Sequence, residues 1–258
     1  MRTVRATRYV TPFREGGSLP GLVEADDDGL YVVKFRGAAQ GPRALVAEIV
    51  AGELGRALGL AVPEIVLVEI DPALGELEPD PWVRELLETS PGLNVGSDFL
   101  PGALTYSQAA DDVPDPDAAA NVVWFDSLVT NTDRSPRNPN ILVWHRKRYL
   151  IDHGAALYIH HTWQEPDAHA VRPVPTINDH VLLPAAGSLA AAHARLAHLV
   201  TDSLISATIS LVPRGFLAES SAVGGTDEQR RAYARYLTLR LAAQELLMTE
   251  LDEVIHAR

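Results

Sequence analysis

The chain reads NTDRSPRNPNIL at residues 131–142 and LIDHG at residues 150–154. The first segment places Asp133 ahead of a turn rich in Asn and Pro, and this turn ends at a short apolar strand. The second segment closes the next apolar strand with Asp152, and a Gly follows shortly after it. A basic turn joins the two strands, which predicts a hairpin flanked by polar side chains.

This order of polar residues is typical of the catalytic loop and metal site of phosphotransferases. In such a site Asp133 accepts or orients the proton of the attacking hydroxyl, while an Asn and Asp152 bind magnesium. The transfer needs mainly positioning and charge neutralisation, so one carboxylate and hard oxygen ligands suffice. The metal-binding Asn is either Asn138, which follows Asp133 by five residues, or Asn140, which immediately precedes the strand. A turn without function has a similar composition, so the prediction depends on all these residues occurring together.

A lysine inside an apolar strand is the second unusual feature. Lys34 lies in the predicted strand Gly29–Phe35, and burying an unpaired ammonium is expensive. The functional interpretation is that Lys34 pairs with ATP phosphates and with a carboxylate of the following helix, predicted over Arg43–Leu58. A helical wheel places Glu53 nearer the apolar face and Glu48 more to the side, so both are candidates. The alternative is a solvent-facing lysine on an edge strand.

The candidate phosphate loop is EGGSLPG at residues 15–21, although it does not have the form G-x-G-x-x-G. Its residues Gly16, Gly17 and Ser18 would let backbone N–H groups approach a phosphate. A plain turn is the alternative interpretation of the same residues.

The wider pattern predicts an α+β protein with two lobes. Residues 1–95 are expected to form a small β-rich N-lobe with one helix, and residues 96–258 a larger, mostly helical C-lobe. Residues 71–118 carry many prolines and are predicted to be irregular, with the connection between the lobes at Gly92–Leu104. Further strands are predicted at Pro63–Ile70, Ile141–Trp144 and Tyr149–Ile151, and helical periodicity marks Ala118–Val129, Ser188–Leu211 and Asp227–His256.

Composition excludes several classes of protein. The chain has no Cys, so disulfide frameworks, thiolate nucleophiles and Cys-based zinc sites are ruled out. Its net charge of −12 argues against direct nucleic-acid binding, although a few local cations still permit a phosphate-bearing ligand. The sequence shows neither a membrane-length apolar segment nor a secretory signal, so a cytoplasmic location is predicted.

Two clusters of polar residues invite other interpretations. Adjacent histidines on a strand or turn point apart, so no transition-metal site is expected from His153, His160, His161 and His169. A basic cluster beside the proposed site either steers a phosphorylated substrate or forms a solvated hairpin; its members are Arg134, Arg137, Arg146, Lys147 and Arg148.

The combination of motifs resembles the HipA-like kinases, in particular a short bacterial branch without the N-terminal extension of the toxin-type members. The resemblance covers roughly residues 14 to 165. Phosphoinositide kinases share the same order of motifs, in which Asp-Arg is followed by an Asn and then by Asp-x-Gly. The resemblance rests on Gly16-Gly17-Ser18, Tyr31–Phe35, the helix with Glu48, Gly59–Pro63 and Asn131–Leu157.

The resemblance implies a two-lobed, kinase-like fold and a role for each matching residue. Lys34 corresponds to the phosphate-binding lysine, with Glu48 as its partner and Glu53 in reserve. Asp133 corresponds to the catalytic aspartate and Asp152 to the magnesium-binding one. The residue after Asp152 is a histidine, where an aromatic packing residue is usual.

The sequence therefore predicts an ATP- and Mg²⁺-dependent phosphotransferase of HipA-like type. Its acceptor is either a protein Ser/Thr or a small-molecule hydroxyl, and the sequence does not distinguish them. The alternative is a nucleotide-binding pseudokinase or interaction module without transfer activity. A DNA-binding toxin–antitoxin component is disfavoured by the acidic charge.

Overall fold

A closed five-stranded barrel forms the N-terminal part of the computed structural model, which describes residues 1–13, 19–38, 41–76, 78–109, 113–218 and 223–256. Its strands lie in the order β1-β2-β3-β5-β4. The parallel pair is β1 with β4, and the other neighbours are antiparallel. The strands are β1 Thr3–Pro12, β2 Gly21–Ala25, β3 Leu30–Lys34, β4 Ile65–Ile70 and β5 Gly92–Asp98.

The helix α1, Gly41–Ala57, links β3 to β4 and joins the barrel to the rest of the molecule. Most of its side chains are buried, and they belong to one hydrophobic core with the helices of the C-terminal part. The barrel interior is a second, smaller core. A helix that is apolar on nearly every side must be covered on every side, so α1 is enclosed between the two parts of the molecule.

The C-terminal part is a small sheet surrounded by helices. The sheet is antiparallel in the order β6-β7-β8. Its strands are β6 Leu104–Thr105, β7 Ile141–Trp144 and β8 Lys147–Leu150. Helix α2, Pro81–Glu88, instead packs against the core of the barrel. The helices of the C-terminal part are α3 Pro116–Leu128, α4 Pro166–Ala170, α5 Leu189–Leu196, α6 Asp202–Ser210, α7 Arg214–Ala218 and α8 Thr226–His256.

The predicted α+β class is confirmed, with a β-rich N-terminal and a helical C-terminal part. The prediction that residues 71–118 are irregular is wrong, because they contain α2, β5 and β6. Asp80 caps the N-terminus of α2 and Pro81 occupies its first turn, a position where proline favours a helix. Strand β5 also occupies the first half of the predicted connection Gly92–Leu104. The same strand spans residues 95 and 96, between which the lobe boundary is predicted. The position of that boundary stays a prediction.

One other predicted element differs from expectation. The periodicity of Ser188–Leu211 comes from two helices, α5 and α6, separated by a short 3₁₀ turn at Ala197–Leu199.

Among the described residues, no helix combines the length and apolar character that crossing a bilayer requires.

A substitution at Gly52 tests the close contact between α1 and β4. A Cβ atom at Gly52 would overlap Ile65 Cδ1, whereas a Cβ atom at Gly215 in α7 would meet no atom within 4 Å. Gly52→Leu is therefore expected to lower the free energy of unfolding by about 1–3 kcal/mol through overpacking. The matched control Gly215→Leu should leave it unchanged or raise it by up to about 1 kcal/mol. Urea denaturation measures both, and equal effects would contradict the contact.

Candidate active site

Lys34 is the centre of a buried cluster of charges. It is the last residue of β3, and its side chain is 12% exposed. The ammonium Nζ lies 2.6 Å from Glu48 Oε2 and 2.5 Å from Asp152 Oδ1. The barrel, helix α1 and the segment after β8 therefore meet at one nitrogen atom.

The electrostatics of this cluster follow from its burial and pairing. Burial alone would lower the pKa of the Lys34 ammonium, but Glu48 and Asp152 outweigh burial and raise this pKa above its ordinary value. Burial would likewise raise the pKa of Glu48, yet Lys34 and His153 lower it to about 2. Both charges of the Lys34–Glu48 pair are thus retained at neutral pH.

The structure distinguishes the two candidate glutamates of α1. Glu48 is buried and contacts Lys34. Glu53 instead lies 3.6 Å from Arg56 on the same helix. Glu48 is therefore the partner of Lys34 in this structure, although the helical wheel places Glu53 nearer the apolar face.

The Asp133 loop is held by three asparagine side chains. Asn131 Oδ1 accepts a hydrogen bond from the Asp133 backbone N–H at 3.1 Å. Asn138 Nδ2 donates to Asp133 Oδ2 at 2.8 Å, and Asn140 Nδ2 donates to the Asp133 carbonyl oxygen at 2.7 Å. Both candidate metal-binding asparagines thus reach the same aspartate, and its carboxylate is oriented directly by Asn138.

Asn140 also lies beside the end of β8. The Ile151 backbone N–H donates to the Asn140 carbonyl oxygen at 3.0 Å, so Asn140 is one pairing position from Asp152. Both residues adopt left-handed backbone conformations, with φ of +49° and +54°, where Asn and Asp are better tolerated than most residues. Carboxylate and amide oxygens are the ligands that magnesium prefers, and Asp152 with Asn140 or Asn138 supplies this donor set.

Arg134 and Asp126 form a buried ion pair beneath the loop. Both side chains are fully buried, and Arg134 Nε donates to Asp126 Oδ2. His180 Nε2 lies 2.9 Å from the same oxygen, and Asn131 Nδ2 donates to Asp126 Oδ1 at 3.0 Å. Burial would raise the pKa of Asp126, but Arg134 and His180 outweigh burial and hold this pKa well below its ordinary value.

This ion pair fixes the Asp133 loop. The guanidinium of Arg134 also donates to the carbonyl oxygen of Asn140, so one side chain ties α3 to both ends of the loop. Arg134 therefore fits neither interpretation of the predicted basic cluster, because its side chain is buried and paired with Asp126. Sequence reasoning missed Asp126 and His180, although a carboxylate within the otherwise apolar run VVWFDSLV at residues 122–129 was an available signal.

The histidines near the site have separate surroundings. His160 Nδ1 lies 3.1 Å from the Tyr233 hydroxyl, and His169 Nδ1 lies 2.8 Å from the Tyr236 hydroxyl. Burial lowers the pKa of His160 to about 3, so its ring is neutral. In the described part of the chain, no group of three or more His, Cys, Asp or Glu side chains is arranged to hold a metal ion. The predicted phosphate-loop residues Gly16, Gly17 and Ser18 lie outside the described residues.

Comparison with protein families identifies the chain. A family model described as HipA-like kinase matches residues 7–192. The chain belongs to the HipA-like kinase family. The resemblance found in the motifs is thereby confirmed, and the family match extends well beyond the Asp133 loop.

Solved structures with the same fold are also kinases. The Helicobacter pylori proinflammatory kinase CtkA is 12% identical, with a TM-score of 0.58 over 96% of this chain and 98% of that chain. A Golgi casein kinase with Mn/ADP bound is 15% identical, with a TM-score of 0.50 over 96% of this chain and 74% of that chain. These likenesses confirm the two-lobed, kinase-like fold of this HipA-like kinase. None of the curated proteins compared matches the chain.

Asp126 offers a test of the buried ion pair. Asp126→Ala leaves the Arg134 guanidinium buried without its carboxylate, so we expect the free energy of unfolding to fall by about 3–5 kcal/mol. The matched control is Asp117→Ala on the same helix, because Asp117 is exposed and 3.4 Å from Arg195. The control substitution should lower the free energy of unfolding by about 1 kcal/mol or less. Chemical denaturation measures both variants, and similar losses would contradict the structural role of Asp126.

Proposed function

We propose that the chain is an ATP- and magnesium-dependent phosphotransferase that transfers the γ-phosphate to a hydroxyl group. The observation that carries the proposal is the convergence of Lys34, Glu48 and Asp152 between the barrel and the helical part. Membership of the HipA-like kinases and the kinase fold support the same conclusion.

Lys34 would bind the phosphates of the nucleotide. Its ammonium is held by Glu48 on one side, and its second contact is with Asp152. In kinases the equivalent lysine pairs with both a helix glutamate and the nucleotide phosphates. We therefore expect the contact with Asp152 to give way to the phosphates when the nucleotide binds, while the contact with Glu48 persists.

Asp152 and Asn140 would hold the metal ion, with Asn138 as the alternative to Asn140. A divalent ion bound there neutralises charge on the phosphate oxygens. The Golgi casein kinase, which has Mn/ADP bound, is a precedent for a divalent ion in this fold. Asn140 is favoured over Asn138 because its backbone pairs with Ile151, next to Asp152.

Asp133 would act on the acceptor hydroxyl. Its carboxylate belongs to a loop fixed from below by Arg134 and oriented by Asn138. A carboxylate in this position accepts or orients the hydroxyl proton during attack on the γ-phosphate. The acceptor is a protein Ser/Thr or a small-molecule alcohol, and both are compatible with this chemistry.

One observation favours an alternative function. The ion pair between Lys34 and Asp152 occupies a carboxylate oxygen that a metal ion would need. If that ion pair persisted in the presence of nucleotide, the chain would be a pseudokinase or interaction module that binds nucleotide without transfer. The retention of both Asp133 and Asp152 favours catalysis.

Two substitutions test the assignment of roles. Asp133→Asn is expected to reduce phosphate transfer from labelled ATP by about 10²–10⁴-fold while ATP binding is retained. Asp152→Asn should abolish transfer and also remove the effect of magnesium on ATP binding. The control is Asp28→Asn, which changes an exposed turn residue whose φ of +62° suits Asn.

Transfer is measured as labelled protein or as released ADP. Full activity in both active-site variants would show that the assignment is wrong. If the unmodified protein binds ATP but neither transfers phosphate nor releases ADP with any acceptor offered, the pseudokinase alternative is supported.

A further inference from the structure

His153 is a buried polar side chain without a hydrogen bond. Its side chain is fully buried, and neither ring nitrogen has a hydrogen-bond partner among the described residues. Its ring makes a T-shaped contact with Phe125 of α3, with the ring centroids 6.3 Å apart. Leaving a buried polar group unpaired costs about 1–3 kcal/mol, so an unpaired histidine beside a functional aspartate requires an explanation.

The carboxylate of Glu48 lies just beyond hydrogen-bonding distance of this ring. His153 Nδ1 lies 3.9 Å from Glu48 Oε1. The other carboxylate oxygen, Oε2, is the one bound to Lys34. The two oxygens of Glu48 thus face different parts of the molecule, one toward β3 and the other toward the segment that follows β8.

A small movement would complete the contact. Hydrogen bonds between nitrogen and oxygen span about 2.7–3.2 Å, so the gap to be closed is about 1 Å. Glu48 belongs to α1 and His153 belongs to the C-terminal part of the chain. Because α1 already packs in one core with the C-terminal helices, rotation of the two side chains is enough to close this gap.

We propose that His153 is a positioning residue whose Nδ1–H donates to Glu48 Oε1 when the nucleotide is bound. The inference rests on the proposed function. Once Asp152 binds the metal ion, Glu48 is the carboxylate among the described residues that still contacts Lys34. The hydrogen bond from His153 keeps Glu48 from rotating, and it thereby keeps Lys34 directed at the phosphates.

This role explains why a histidine follows Asp152. An aromatic hydrocarbon side chain there would fill the same space against Phe125 but has no N–H to donate. A histidine provides both a ring edge for packing and a donor for the carboxylate. The low pKa of Glu48, to which His153 contributes, is consistent with a favourable interaction between the two groups.

Three substitutions separate the hydrogen bond from the packing. His153→Phe keeps a ring against Phe125 without a donor. His153→Leu and His153→Asn introduce side chains of similar size. Only Asn offers a donor, because its Nδ2 takes the place of His Nδ1. We expect Phe and Leu to weaken the affinity for ATP with magnesium by about 10- to 100-fold, the usual size of a hydrogen bond to a charged group. Asn should recover most of that loss.

Calorimetry with ATP and magnesium is the measurement, and thermal unfolding of each variant without nucleotide is its control. A structural role alone predicts that affinity follows thermal stability, with Phe closest to the wild type and Asn no better than Leu. Either of those two results for affinity would overturn the inference. In a Glu48→Ala background, the ATP affinities of the proteins with His and with Phe at position 153 should differ by less than about twofold, because the acceptor is gone. A difference that persists there would also overturn the inference.

The outcomes distinguish this inference from the proposed function. If the wild-type protein does not bind ATP in the presence of magnesium, the proposed function fails and the inference fails with it. If the wild type binds and transfers phosphate but Leu and Asn at position 153 have equal affinities, only the role of His153 is overturned.

Discussion

The burial of one ammonium group is the constraint on which the site depends. An unpaired Lys34 in this environment would be strongly unfavourable, and Glu48 and Asp152 compensate for its burial from two directions. The first carboxylate comes from α1, which is enclosed by both parts of the molecule, and the second follows the hairpin β7–β8. The pairing therefore requires the barrel, the helix and the hairpin to be assembled together, and it places a cation and the proposed metal-binding carboxylate at the same point.

A second buried pair gives the loop its shape. Asp126 extends from α3 to Arg134, and Arg134 in turn binds the carbonyl oxygen of Asn140. The same carbonyl oxygen accepts the backbone N–H of Ile151, so the Asp133 loop and the end of β8 share one anchoring atom. Removing one partner of a buried ion pair leaves an uncompensated charge, which makes this pair a strict determinant of loop geometry. Positioning of this kind is the main contribution that a protein makes to phosphoryl transfer.

The sequence predicted the parts of the candidate site that depend on local order. Asp133, the asparagines and Asp152 lie within one segment whose spacing is informative by itself. The choice between Glu48 and Glu53 depends on which face of α1 is turned toward β3. A helical wheel cannot show this, because it contains no information on a buried lysine partner. Asp126 was missed because it lies outside the Asp133 motif; its apolar neighbours indicated burial, but its partners Arg134 and His180 are set by tertiary structure. Helix α2 was missed because Pro79 and Pro81 were interpreted as loop residues, although Pro81 occupies the first turn where proline is favourable.

The central claim is that Lys34, Glu48 and Asp152 form a site for a nucleotide with its metal ion. Calorimetric titration of the protein with ATP, in the presence and absence of magnesium, tests this claim most directly. The account predicts binding that magnesium strengthens by at least about tenfold, or roughly 1.4 kcal/mol, because the ion neutralises charge between the phosphates and Asp152. Absence of ATP binding under both conditions, or binding that magnesium does not strengthen, would contradict the account.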